Sequence, residues 1–77
     1  MPKLPQLSGR DIVKIFQQFG WEIARQRGSH IILVKDGQNV TLSVPDHKEV
    51  AQGTLHGLIR SAGMSSVEAL IEISRRV

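Results

Sequence analysis

The chain is 77 residues long and contains no cysteine, so a disulfide framework, thiol catalysis and a cysteine-based zinc site are all closed to it. Its 40% hydrophobic and 22% charged residues are the make-up of one folded domain, 1–77 with a core at about 7–72, rather than of a disordered tail. Ten Lys and Arg against seven Asp and Glu give a net charge of +3, a lean toward polyanionic partners.

The first expected element opens at Ser8-Gly9-Arg10-Asp11, a capping-box pattern with Ser8 as N-cap. Ile12, Val13, Phe16 and Phe19 then recur at helical spacing and Gly20 supplies a left-handed stop, so a helix is predicted over Gly9–Phe19. From Trp21 the period changes to two. Trp21, Ile23 and Arg25 alternate with Glu22, Ala24 and Gln26 in a first strand that ends at Arg27-Gly28. Ser29–Lys35 is β-branched and mostly apolar and reads as a second strand, followed by a tight turn at Asp36-Gly37. Val40, Leu42 and Val44 form the apolar face of a third strand, which Pro45 ends.

Asp46–Gly53 is a polar connection. Leu55, Leu58, Ile59 and Ala62 make the apolar stripe of a helix from about Thr54 to Gly63, and Ser65 or Ser66 can cap a last helix with Val67, Leu70 and Ile71 inward and Arg75 and Arg76 at its end. The expected architecture is α+β, in the order α-β-β-β-α-α, with helices on one face of a three-stranded antiparallel sheet. Function is expected on the other face. The longest apolar run, Ile31–Val34, is too short for a bilayer, and Met1-Pro2-Lys3-Leu4-Pro5 leads into polar sequence without an export signal, so a cytoplasmic place is expected.

Histidine is the side-chain type that titrates near neutrality unaided, and the sequence has three. His30 stands in Arg25-Gln26-Arg27-Gly28-Ser29-His30, where Gly28 permits a tight turn and two guanidinium groups suit phosphate oxygens. RNA carries its own nucleophile, the 2′-hydroxyl. Cutting it needs a base, an acid for the leaving 5′-oxygen and cations where charge gathers, and a histidine among arginines meets that list. The structural alternative is a strand-edge histidine with solvated arginines. His47, in Pro45-Asp46-His47-Lys48, is either a second acid–base group with Lys48 on phosphate or a plain loop histidine. His56 falls on a helix flank, the usual place of a solvated residue. The histidines lack partners at metal-ligand spacing, so no metal is expected, and no glycine-rich phosphate loop is present. Trp21 opens a strand and is expected in the core.

Several of these pieces occur together in one known family. They are Ser8-Gly9-Arg10-Asp11, Phe19-Gly20-Trp21, Gly28-Ser29-His30, Val44-Pro45-Asp46-His47-Lys48-Glu49 and Gly53-Thr54-Leu55-His56-Gly57-Leu58-Ile59-Arg60-Ser61-Ala62-Gly63. The sequence resembles the HicA toxins of toxin–antitoxin pairs from about Leu7 to Leu70. The resemblance implies a fold like that of a double-stranded-RNA-binding domain. It also implies mRNA cleavage without a cofactor, a catalytic role for His30, and neutralisation by a HicB antitoxin covering that site. The family is often basic after Gly-Thr-Leu; here His56-Gly57 follows, which leaves more of the grip on RNA to Arg25, Arg27, Lys35, Lys48 and Arg60, with Ser29 and His47 beside them. Two other classes stay open at this stage: a non-catalytic RNA-binding module of the same fold, and a protein adaptor using its sheet face.

Overall fold

A computed structural model of the chain describes residues 6–64, and the last expected helix lies outside them. The elements are α1 (Gly9–Gln17), β1 (Glu22–Arg27), β2 (His30–Val34), β3 (Leu42–Pro45) and α2 (Gln52–Ser61). The three strands form an antiparallel meander in the order β1-β2-β3.

Helix α1 starts where its capping box places it. The Asp11 amide donates to Ser8 Oγ at 3.1 Å and the Ser8 amide donates to the Asp11 carboxylate at 3.3 Å, which satisfies two of the helix's otherwise unpaired donors. We expect Ser8→Ala to cost about 1 kcal/mol. For a domain of this size that lowers the melting temperature by roughly 4–8 °C, measurable by circular dichroism.

The helix ends two residues before the predicted Phe19. Gly20, at φ +94°, reverses the chain so that the Gly20 amide donates to Gln17 O and the Trp21 amide to Phe16 O, both at 3.2 Å. This is a Schellman closure. It also seats Trp21 edge-on against Phe16, with ring centroids 6.5 Å apart. Helix α2 closes the same way, through Gly63 and a Met64 amide bonded to Ile59 O. Its start lies at Gln52, two residues before the predicted Thr54, with no side-chain cap on Ala51.

The core joins one sheet face to both helices. Ile31 and Leu33 of β2 and Leu42 and Val44 of β3 meet Ile12, Val13 and Phe16 of α1 and Leu55, Leu58 and Ile59 of α2. Trp21 is core, as expected, and its indole Nε1 is buried without a hydrogen-bond partner among the described residues. Val40 is not core: it is 45% exposed, because the β2–β3 ladder ends at the Leu33–Leu42 pair and the chain beyond is irregular. The supposed polar connection carries a core residue of its own. Val50 is buried and forms an isolated antiparallel bridge with buried Leu7, the Val50 amide donating to Leu7 O at 2.8 Å.

Candidate active site

The β1–β2 hairpin decides which side chains share the open face. Arg27 and His30 are direct cross-strand partners around the two-residue turn Gly28-Ser29, with Gly28 at φ +58°. A positive φ at the first turn position and none at the second is the pattern of a type II′ hairpin, which favours glycine there. Along β2, Ile31 and Leu33 point into the core, so His30, Ile32 and Val34 face outward.

Strict alternation in β1 would put Arg25 on the inner face with Trp21 and Ile23. The ladder departs from it. Ile23 pairs with Leu33, but Arg25 pairs with Ile32, leaving Ala24 as an extra residue in a bulge. The bulge reverses the alternation and sends Arg25 outward. Arg25 and Arg27 therefore stand on the same outer face as His30, with Arg27 directly opposite it and Arg25 one row farther along. Directly opposed side chains in such a ladder have Cβ atoms about 4.5–5.5 Å apart. All three are exposed. Among the described residues neither arginine takes part in an ion pair, so both guanidinium groups remain available to an anion.

The loop after β3 reaches the same end of the sheet. Pro45 pairs with His30, and the Asp46 amide donates to Ser29 O at 2.7 Å. His47 and Lys48 follow, both exposed, and the Gly9 amide at the start of α1 donates to His47 O at 2.9 Å. Asp46, which opens the polar connection expected from sequence, ties three elements together. Its carboxylate accepts from Arg10 Nε of α1 at 3.4 Å and from Gln26 Nε2 of β1 at 3.3 Å, while its amide holds the β1–β2 turn. Nothing short of the register could have revealed this, since its partners lie 36 and 20 residues away.

The remaining candidates are scattered. Lys35 lies five residues beyond His30, roughly 16 Å along an extended chain. It is half-buried, and its side chain runs past Gly20, where an added Cβ would meet its Cε at 3.3 Å. A cation there suits the carbonyl end of α1. Arg60 is exposed in the last turn of α2, on the helix side of the sheet, and His56 is half-buried on the same helix. Ser29 is exposed in the turn itself. Among the described residues no three His, Cys, Asp or Glu side chains cluster so as to hold a metal ion, and no helix is long and apolar enough to cross a membrane.

Comparison with known proteins identifies the family and the fold. No curated protein sequence matches the chain. A chain of a toxin–antitoxin complex from Streptococcus pneumoniae has a similar structure, with a TM-score of 0.68 at 29% identity over 75% of this chain and 98% of that one. Residues 9–64, which span α1 to the end of α2, match the family model of the HicA toxin of bacterial toxin–antitoxin systems. The chain belongs to the HicA toxin family.

Proposed function

We propose that this toxin is a metal-independent endoribonuclease that cuts mRNA with His30 and is silenced by a HicB-type antitoxin. The observation that carries the reading is the outer-face grouping of Arg25, Arg27 and His30, exposed and held by one hairpin. In the reaction, neutral His30 accepts the proton of the 2′-hydroxyl. The freed 2′-oxygen bonds to the adjacent phosphorus while the bond from phosphorus to the 5′-oxygen breaks. The leaving oxygen takes a proton from His47 or from water, giving a 2′,3′-cyclic phosphate and a 5′-hydroxyl. Arg25 and Arg27 hold the phosphate and offset the charge that gathers on its oxygens in the transition state. Lys48 adds a cation at the same end of the sheet, and Ser29 a hydroxyl in the turn.

The deciding experiment incubates the purified protein with a long RNA in the presence of a chelator. Cleavage by the wild type that is lost in His30→Ala supports the reading. A chain that binds RNA without cutting it would be a binding module instead, and cleavage unchanged in His30→Ala would remove the mechanism.

The arginines carry a separate expectation. Arg27→Ala leaves the base in place and removes a phosphate contact, so it should weaken RNA binding across sequences. It should also flatten the slope of log affinity against log salt by about 1, read from titrations at several salt concentrations. An unchanged slope would place Arg27 away from the RNA.

A further inference from the structure

The opposite face of β1 carries a second feature. Helix α1 lies across the sheet and touches both β3 and β1, yet it leaves every residue of β1 exposed. Between them lies an open groove of about 250 Å³. Val13 and Ile31 form its buried floor, and Ile23, 52% exposed on the inner face, forms its flank. Arg10 and Lys14 of α1 line one side and Gln26 the other, and among the described residues that line it none is acidic. Arg10 is 76% exposed, and its contact with Asp46 engages Nε, which leaves its other donors for a ligand. Among the described residues, the sheet order leaves one edge of β1 unpaired alongside this groove.

The groove is smaller than the roughly 300–1,000 Å³ of small-molecule sites, which suits single side chains of a peptide. Its apolar flank offers nothing to an RNA phosphate. A second copy of this chain would bring its own Arg10, Lys14, Arg25 and Arg27 against like charges, and the bulge at Ala24 further blunts edge-to-edge self-pairing. A segment with carboxylates and one apolar anchor satisfies both the cations and the floor, and in extended form can pair with the free edge.

We propose that the α1–β1 groove and the free edge of β1 seat an extended acidic segment of the antitoxin, with one apolar side chain against Ile23 and Val13 and carboxylates on Lys14 and Arg10. The proposal rests on the toxin reading for the identity of the partner. Such a segment lies on the strand that presents Arg25 and Arg27 on its other face, so its docking crowds RNA without touching His30.

The test pans a random library of short displayed peptides on the full chain, then titrates the selected peptides, made synthetically, against the wild type and the Lys14→Glu, Ile23→Ala and His30→Ala variants. The expected result is a selection in which a large apolar residue is flanked by Asp or Glu. Affinity should fall about tenfold or more in Lys14→Glu and Ile23→Ala and hold in His30→Ala. The same peptides should slow RNA cleavage by the wild type, while the two groove variants cleave normally. Selected peptides without an acidic bias, or binding equally to both groove variants, would overturn the proposal. So would RNA binding lost in Lys14→Glu, or self-association of the chain that Ile23→Ala abolishes. A wild type that binds acidic peptides at the groove and cuts no RNA would instead sink the nuclease reading alone.

Discussion

Replacing His30 with alanine is expected to lower the rate of RNA cleavage by about 10²- to 10⁴-fold, the usual worth of one positioned acid–base group. The loss should fall on the chemical step. Arg25 and Arg27 stay in place on the outer face, so affinity for an RNA at low salt should change little. The fold should also be indifferent: His30 is exposed and its ring makes no hydrogen bond among the described residues, so the variant should melt within about 0.5 kcal/mol of the wild type. This separation makes the experiment decisive, because a dead variant that still folds and still binds RNA can only have lost chemistry. In cells, the wild type expressed without its antitoxin should arrest growth and His30→Ala should relieve the arrest. An arrest that persists in the variant would mean that another group, or mere binding, does the harm.

Local signals in the sequence translated into structure most directly. The Ser8–Asp11 box, the Gly20 reversal and the Asp36-Gly37 turn depend on contacts within a few residues, the burial of Trp21 and of the α2 stripe follows from local apolar spacing, and all stand where sequence placed them. Register is a different kind of information. The bulge at Ala24 arises from how β1 fits β2, and without it the alternation of Trp21, Ile23 and Arg25 assigns Arg25 to the wrong face. Val40 looked like a third core residue of β3 because alternation cannot say where a ladder stops. Val50 and Leu7 pair across 43 residues and neither sits in a periodic pattern.

The candidate site divides along the same line. Arg27, Gly28, Ser29 and His30 are contiguous, so their grouping was legible. The arrival of Asp46 and His47 at the same end of the sheet was not, and neither was the placement of Lys35 beside Gly20, remote from His30 along the strand. A run of cations in sequence fixes net charge but not which of them can reach one phosphate.

Gly9→Ala is expected to be the most damaging small substitution in the described chain, and it tests whether that end of the sheet is a rigid platform. A Cβ at Gly9 would overlap the carbonyl oxygen of Pro45 and come within 2.9 Å of its carbon and 3.0 Å of Asp46 Cα. These are backbone atoms, so no rotamer change relieves the overlap. Alanine is the better helix former by up to about 1 kcal/mol, yet overpacking of this kind typically costs about 1–3 kcal/mol, and the clash should win. Helix α1 must then withdraw from the loop, stretching the Gly9–His47 hydrogen bond and the Arg10–Asp46 contact. In a domain this small, with little stability in reserve, each kcal/mol lost lowers the melting temperature by roughly 4–8 °C. Gly57→Ala is the internal control. Gly57 lies within α2, exposed, with nothing within 4 Å of an added Cβ, so there the propensity gain stands alone and the variant should melt higher than the wild type. The same displacement should reach function, since Pro45 and Asp46 pair with His30 and Ser29. Gly9→Ala should therefore cut RNA more slowly even well below its melting temperature, whereas Gly57→Ala should not. If Gly9→Ala melts and cleaves like the wild type, α1 and the Asp46–His47 loop are not locked together, and His30 is held in place by its hairpin alone.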